Sequence, residues 1–365
     1  MKILFYFSHP AQYLFLRETI IRLKKEGKHK IHILIKTKDV LEKLISSDSL
    51  EFENILPKER GQSKIAIALS LLNRIIKILP IVRRIKPDLF VGTDASITHL
   101  SFLFRKNCIT ITEDDYEIIK TLGRLAYPFT STILCPDVCK VGKWDHKKVG
   151  YKGYMKLGYL HPEVFTPDEN ILKKYSFTKN YVLIRLAKLT AHHDFGIKGI
   201  DYVFLDKIIN LLENKGLKVY ISSEGEILED YKKYLLKINP SDIHHILAFS
   251  KLFICDSQSM SVEACMLGIP SIRYSSFAGK ISVLEELEKK YKLTFGVPSG
   301  NEEMLLERIF KLINLEDLSE IFQIRKREMI NDKIDVSKFL TWFIGEYPKS
   351  NELMKKDNNY QNRFK

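Results

Sequence analysis

Short apolar runs alternate with longer segments of helical periodicity along most of the chain. In the first half, this pattern predicts strands at residues 2–7, 31–36, 50–56, 88–92, 108–112 and 133–135, and helices at 11–25, 40–45, 64–86 and 95–104. In the second half, it predicts strands at 181–186, 218–222 and 252–255, and helices at 202–214, 227–237, 241–249 and 302–313. Strands that alternate with helices are typical of parallel α/β folds.

The alternation is interrupted once, by an irregular stretch rich in Gly, Lys and Tyr, and it restarts at Tyr181. We therefore predict two Rossmann-like α/β domains with parallel sheets facing a central cleft. Their bounds are residues 1–155 and 176–335, joined by a linker at 156–175. Residues 336–365 are expected to form a terminal helix that returns toward the first domain, and a polar tail that frays.

The predicted helix at 64–86 is long and carries both apolar and basic residues. Its apolar positions are Ile65, Ile67, Leu71, Leu72, Ile75, Ile76, Leu79, Val82 and Ile85, and its remaining positions are largely basic. Pro80 is expected to kink or split it. We favour a crossover helix whose apolar side packs on the core and whose basic side faces solvent. The alternative is a helix that lies on a membrane surface.

The composition describes a globular protein: 45% of the 365 residues are hydrophobic and 28% are charged. No apolar run approaches the roughly 20 residues of a membrane span, and the apolar start is too short for a signal peptide, so we expect a cytoplasmic protein. Five cysteines in a long chain suggest reduced, packed thiols.

The net charge of +13 indicates anionic partners. No motif interleaves aromatic and basic residues, and no helix-turn-helix or zinc-finger spacing occurs, which argues against nucleic acid. Nucleotide sugars and peripheral contact with the inner, anionic face of the cell membrane remain as candidates. The sequence contains no Gly-x-Gly-x-x-Gly fingerprint and no phosphate loop, which counts against a dehydrogenase or an NTPase.

The run from Lys251 to Tyr274 carries the most specific chemistry. It predicts a strand, a tight turn at Ser257, Gln258 and Ser259, a helix closed by Gly268, and a further strand. The first amides of such a helix could hold a diphosphate. Glu263 lies about 6–9 Å further along the helix axis, where its carboxylate could accept from a ribose diol. The alternative is a surface helix that Ser257 caps and that carries Glu263 on its solvent-exposed face.

Several segments resemble known families. Residues 256–264 followed by Leu267-Gly-Ile-Pro270 resemble the donor-nucleotide segment of GT-B glycosyltransferases and of UDP-N-acetylglucosamine 2-epimerases. Residues 8–11, 151–162, 191–194 and 221–224 also resemble an uncharacterised family, domain of unknown function 354. The resemblance implies a GT-B fold, a first domain that holds an acceptor, and a UDP-linked sugar bound by the second domain, with no other cofactor.

The resemblance also suggests how the nucleotide sugar would be held. Arg185 ends the first strand of the second domain, and its fork suits phosphate oxygens, although an outward-facing strand-end arginine is the alternative. His192 and His193 lie in the loop that follows, between Lys188 and Lys198. His244, near the start of the predicted helix at 241–249, is expected beside the base. No Asp-x-Asp motif is present, so no metal is predicted.

A glycosyl acceptor must lose a proton, and three side chains at predicted strand ends could take it: His9, Asp94 and Glu113. His9 and Asp94 could equally cap the helices that follow them. We predict a metal-independent glycosyltransferase of surface polysaccharide or glycoconjugate assembly, acting on a carbohydrate or lipid-linked acceptor. The alternatives are an epimerase-like isomerase, which several departures from the 2-epimerase motifs put in doubt, and a binding protein without catalysis.

Overall fold

The computed structural model describes residues 1–37, 40–56, 64–186 and 199–365, with the side chains of 64–68 left out. These residues form two compact units. Met1–Val164 and Lys333–Lys365 make up the first unit, and Phe165–Asp332 make up the second. Each unit contains one parallel sheet with helices in its crossover connections, so the predicted fold class of two Rossmann-like α/β domains is confirmed.

The strands of the first unit are β1 (Lys2–Phe7), β2 (Lys30–Lys36), β3 (Glu53–Leu56), β4 (Leu89–Gly92), β5 (Asn107–Ile111), β6 (Thr132–Pro136) and β7 (Lys148–Tyr151). Its helices before Val164 are α1 (Pro10–Glu26), α2 (Leu41–Ser47), α3 (Lys64–Ile85), α4 (Ala95–Leu103), α5 (Lys120–Ala126) and α6 (Leu157–Leu160). The sheet order is β3-β2-β1-β4-β5-β6-β7, and all pairs are parallel. The order reverses between β1 and β4, where such sheets bind ligands at the carboxyl ends of the strands.

The strands of the second unit are β8 (Tyr181–Leu186), β9 (Lys218–Ser223), β10 (Leu252–Cys255), β11 (Ser271–Tyr274) and β12 (Thr294–Val297). Its helices are α7 (Asn170–Lys174), α8 (Tyr202–Glu213), α9 (Ile243–Ala248), α10 (Gln258–Leu267), α11 (Ser282–Lys289), α12 (Glu302–Ile313) and α13 (Leu318–Asp332). The sheet order β12-β11-β10-β8-β9 reverses between β8 and β10.

Several elements differ from the prediction. The strands β7 and β12 and the helix α13 were not predicted, and the predicted helix at 227–237 is a short 3₁₀ turn, Glu229–Tyr234. The predicted linker at 156–175 contains α6, which is buried in the first unit. A Cβ at Gly158 would lie 2.6 Å from the Phe15 carbonyl oxygen, so only glycine allows this close approach to α1.

The expectation of a frayed tail is wrong. After α14 (Val336–Gly345), residues 349–365 form α15 (Lys349–Lys356) and a 3₁₀ helix, Asn358–Phe364. The buried Gln361 accepts a hydrogen bond from the Lys152 amide at 2.6 Å and donates to the Gly150 carbonyl at 3.2 Å. The Phe364 ring also packs against aromatic residues of α14. These contacts order a segment whose own composition is polar.

All five cysteines are buried and unpaired with one another, as predicted. Burial raises the pKa of the Cys108, Cys135 and Cys265 thiols to about 12. These thiols are therefore packing groups rather than nucleophiles.

Candidate functional site

The first-unit residues proposed for catalysis follow the strands at which the sheet order reverses. β1 and β4 pair in parallel with Tyr6 opposite Gly92, so the segments after them emerge side by side. His9 follows β1 and Asp94 follows β4. The sheet topology thus brings two of the three predicted proton-transfer residues to one edge, and Glu113, which follows the neighbouring β5, to the same edge.

His9 is exposed and caps α1. It occupies the N-cap position in extended backbone conformation, and its Nδ1 accepts a hydrogen bond from the Ala11 amide at 3.2 Å. The neighbouring Ser8 does not cap the helix, because its amide and its hydroxyl both donate to Gln12 Oε1, at 3.0 and 3.4 Å. The imidazole is consequently oriented through Nδ1 at the end of β1.

Asp94 caps α4 and forms an ion pair with α3. Its Oδ1 accepts from the Ser96 amide at 2.8 Å, from the Ser96 hydroxyl at 2.6 Å and from Arg74 Nε at 3.2 Å. Both side chains of the ion pair are 13% exposed. Tyr6 lies close by, and burial, followed by the charge of Asp94, raises the pKa of its hydroxyl. Among the described residues, that hydroxyl is a buried group without a hydrogen-bond partner.

Three successive carboxylates follow β5, and the structure separates their roles. Glu113 is held through both oxygens, by the Met155 amide at 2.5 Å and by Lys156 Nζ at 2.7 Å. Asp115 is buried and accepts from the Lys140 amide at 2.7 Å. Asp114 between them is exposed to solvent. Desolvation by the surrounding protein raises the pKa of Asp114, and the negative charge of Glu113 adds to this rise. The contact of Asp114 with water limits the desolvation.

The sequence prediction chose Glu113 from this group, but Asp114 has the properties expected of a group that gains and loses protons. It combines access to solvent with a pKa shifted toward neutrality. The only sequence signal was the run of three acids, which does not tell which member faces outward.

In the second unit, Arg185 lies at the point where the sheet order reverses, but its guanidinium already has partners. β8 pairs with β10 and β9, with Arg185 opposite Cys255 and Ser222. Nη1 donates to Ser222 Oγ at 2.6 Å and Nη2 to Glu224 Oε1 at 2.8 Å. Its Nε is buried without a partner among the described residues. A diphosphate clamp at Arg185 would have to share the guanidinium with Glu224.

The predicted phosphate-binding turn is the start of α10. Ser257 is its N-cap, with the side chain 3.5 Å from the Met260 amide, and Gly268 ends the helix at φ 73°. Ser259 lies in the first turn and is half-buried. The amides of this turn have no partners within the helix and lie at the positive end of its dipole.

A buried arginine lies behind this turn. Arg273 of β11 is fully buried, and its Nη1 lies 3.4 Å from Gln258 Oε1 while its Nη2 donates to Glu288 Oε2 at 2.8 Å. Gln258 Nε2 donates in turn to Ser275 Oγ at 2.7 Å. The arginine thus orients the Gln258 side chain at the start of α10. The sequence analysis missed Arg273, because an arginine in a short apolar strand gives no sign of being inward-facing.

Glu263 is buried on α10 and faces α9. Its Oε2 lies 3.4 Å from His244 Nε2, and the two side chains are 9% and 15% exposed. The Phe165 ring packs edge-on to His244, with centroids 6.1 Å apart, and lies 4.7 Å from the His245 ring. The structure therefore brings together the residues predicted to lie near the ribose and the base. The alternative of Glu263 on a wet surface is wrong.

His192 and His193, with Lys188 and Lys198, lie outside the described residues. Where the chain is described, no three His, Cys, Asp or Glu side chains are grouped as metal ligands. The described residues also include no helix long and apolar enough to cross a membrane.

No family model and no curated protein sequence matches the chain, so its resemblance to domain of unknown function 354 stays a prediction. Solved structures do match. UDP-GlcNAc 2-epimerase from Neisseria meningitidis bound to UDP-GlcNAc is 14% identical, with a TM-score of 0.67, over 95% of this chain and 99% of that chain. The S. aureus MnaA–UDP structure is 13% identical, with a TM-score of 0.69, over 96% and 97%.

A glycosyltransferase from Rickettsia africae ESF-5 is also similar, with 14% identity and a TM-score of 0.58 over 96% of this chain and 98% of that chain. These similarities show that the chain has the GT-B fold that epimerases and glycosyltransferases share. Structural similarity at such low sequence identity shows the fold but does not determine the reaction.

Proposed function

We propose that the protein is an enzyme that uses a nucleotide sugar, bound by the second unit at α10. The observation that carries this proposal is the buried Glu263–His244 pair, one to two turns inside α10. The first amides of this helix, from Gln258 on, have no partner within the helix itself. Diphosphate oxygens would accept from the first amides of α10, and the Glu263 carboxylate would accept from the ribose hydroxyls. The structural neighbours with UDP-GlcNAc and UDP support a uridine nucleotide.

The reaction we favour is glycosyl transfer without a metal, in the assembly of a surface polysaccharide or glycoconjugate. The leaving diphosphate gains negative charge as the glycosidic bond breaks, and preorganised amides stabilise that charge. Arg273 contributes a fixed positive charge behind the same amides and orients Gln258. Arg185, His192 and His193 remain proposed contacts of the diphosphate or the sugar.

The acceptor hydroxyl would lose its proton to His9 or Asp94. Asp94 is anchored through Oδ1, so its second oxygen keeps a fixed direction. The Nδ1 atom of His9 accepts from the Ala11 amide, so the proton would have to go to Nε2. Glu113 is better placed as a positioning residue, because both of its oxygens are engaged by Met155 and Lys156.

The second candidate is 2-epimerisation of a UDP-sugar. Asp94 and Glu113 follow neighbouring parallel strands, which gives two carboxylates at one sheet edge for acid and base roles. The 2-epimerase structures are at least as similar to this chain as the glycosyltransferase. The engagement of both Glu113 oxygens counts against this candidate.

One experiment separates the candidates. The protein is incubated with a panel of nucleotide sugars without acceptor and followed by NMR. A transferase leaves its donor largely intact apart from slow hydrolysis, whereas an epimerase interconverts the donor and its C2 epimer. A binding protein would bind a nucleotide sugar without converting it to its C2 epimer. It would also transfer no sugar when acceptors are added in a second incubation. No binding of any nucleotide sugar would refute all three.

A further inference from the structure

The outer surfaces of α3 and α4 expose large apolar side chains. Leu69, Leu72 and Ile76 of α3 and Phe102 and Leu103 of α4 are each between 54% and 65% exposed. The prediction that Leu72 and Ile76 lie on the packed side of α3 is wrong for both. We refer to these five residues as the α3–α4 surface.

The three exposed residues of α3 form one stripe. They are spaced by three and four positions, which places them on a single face of the helix. The opposite face supplies Ile78 and Val82 to the core, together with Ile97 and Leu100 of α4. Both helices therefore pack on the same face of the first sheet. Their outer sides face away from the sheet on that side of the unit.

A depression adjoins the α4 part of this surface. It has a volume of about 540 Å³ and is lined by His99, Phe102, Leu103, Arg105 and Phe129. The Phe102 and Phe129 rings pack edge to face with centroids 5.4 Å apart. Its lining is largely aromatic and aliphatic, and Arg105 adds a cation.

The charge around the surface is strongly positive. Residues 64–106 contain eight Lys and Arg but only two Asp, a net +6 of the chain's +13. Exposed Lys77, Arg83, Lys86 and Arg105 have no acidic partner within ion-pair distance among the described residues. Arg84 and Lys106 are also exposed, and they pair with Glu53 and Asp88 at the surface.

We propose that the α3–α4 surface docks on an anionic lipid membrane. Apolar side chains ringed by Lys and Arg suit the boundary between acyl chains and negatively charged headgroups. A second copy of this chain fits less well, because a symmetric contact through the same surface would set like charges against each other. The contact would be peripheral, since none of the described helices can span a bilayer.

The test uses the whole 365-residue chain, without nucleotide sugar, in vesicle flotation. Vesicles of phosphatidylcholine are compared with vesicles in which one third of the lipid is phosphatidylglycerol, each at low and high salt. We expect binding to the anionic vesicles that weakens with salt. Arg83→Glu/Arg105→Glu should lower the partition coefficient by about tenfold or more, because it removes two basic residues and adds two acidic ones near such a surface.

The apolar variant is Leu72→Ser/Ile76→Ser, which should weaken flotation at both salt concentrations. The matched control is Val203→Ser/Leu228→Ser, which removes two comparably exposed apolar side chains from the second unit. Unchanged far-UV circular dichroism verifies folding.

Absence of binding to anionic vesicles, or equal loss in the control, would overturn the proposal. Concentration-dependent dimerisation abolished by the apolar variant would instead identify a second copy as the occupant. Because no donor is present, failure here would leave the proposed function untouched.

Discussion

Lys156 Nζ lies 2.7 Å from Glu113 Oε2, and both side chains are almost completely removed from water, at 6% and 11% exposure. The second Glu113 oxygen accepts from the Met155 amide. This pair fixes the segment before α6 to the end of β5, at the sheet edge that carries the proposed acceptor site. The carboxylate that sequence reasoning assigned to chemistry therefore acts first as a structural anchor.

Removing one member of this pair should destabilise the first unit strongly. Glu113→Gln or Lys156→Met leaves one buried charge without its partner, which costs about 3–5 kcal/mol in comparable cases. The double variant Glu113→Gln/Lys156→Met should recover part of that loss. Urea denaturation of the three variants forms a double-mutant cycle. Additive effects of the two single changes would contradict a coupled pair.

The Glu263 carboxylate should be required for nucleotide affinity. Glu263→Ala removes one or two hydrogen bonds from ribose to a charged group, each about 1.5–3 kcal/mol. Isothermal titration calorimetry with UDP should show weaker binding. Glu303→Ala, on an exposed position of α12 in the same unit, is the matched control and should bind UDP as wild type does. Unchanged affinity of Glu263→Ala would show that the ribose lies elsewhere.

Much of the fold could be predicted because its signals are local. Apolar runs followed by capping residues located β1, β4, β8 and β10 closely. Parallel pairing then placed the residues that follow these strands at the points where the sheet order reverses. The predictions failed where a partner distant in sequence decides the outcome. The polar tail is ordered by contacts of Gln361 and Phe364 with residues far along the chain.

The candidate site shows the same limit. Sequence placed Ser257 and Glu263 on α10 correctly, because helix spacing is a local property. It could not show that Arg185 pairs with Glu224 across two strands, or that Arg273 turns inward. Both outcomes depend on which residues lie opposite in the sheet. The wide apolar face of α3 likewise left open which half of it packs and which half meets solvent.

Arg273 should contribute both to the stability of the second unit and to its affinity for UDP. Among the residues that the structure describes, Arg273→Met leaves the Gly296 amide as the remaining hydrogen-bond partner of Glu288. The change also releases Gln258 at the start of α10. We expect a loss of about 3 kcal/mol, the lower end for a broken buried pair, because Glu288 is partly exposed. UDP affinity should also fall.

Lys289→Met provides the comparison for Arg273, because it breaks an exposed ion pair with Glu285 on the same helix as Glu288. Both its unfolding midpoint and its UDP affinity should stay close to wild type. Arg273→Met/Glu288→Gln should regain stability, but it should not regain affinity if Gln258 orientation matters. Unchanged UDP binding in both Arg273 variants would show that the arginine serves packing alone.

His245 should make the second unit less stable in mild acid. Its Nδ1 accepts a hydrogen bond from the Asp168 amide at 2.9 Å, which requires the neutral ring. Burial lowers the pKa of His245 below its usual 6.5. The charges of Asp242 and Asp168 oppose that shift, and His244 adds to it. The unfolded chain therefore takes up a proton at a higher pH than the folded one.

The sign of the effect follows from linkage. A lowered pKa in the folded state gives stability that is fully present above about pH 6.5 and is lost as the pH falls through the folded value. His245→Asn keeps an acceptor near Nδ1 but cannot titrate, so it should flatten the fall in unfolding midpoint between about pH 8 and about pH 5. The pKa values of His29 and His32 in the first unit are also lowered, so these residues also make the protein less stable as the pH falls. The test is therefore the difference between His245→Asn and wild type. If His245→Asn shows the same fall as wild type, the proton is taken up elsewhere.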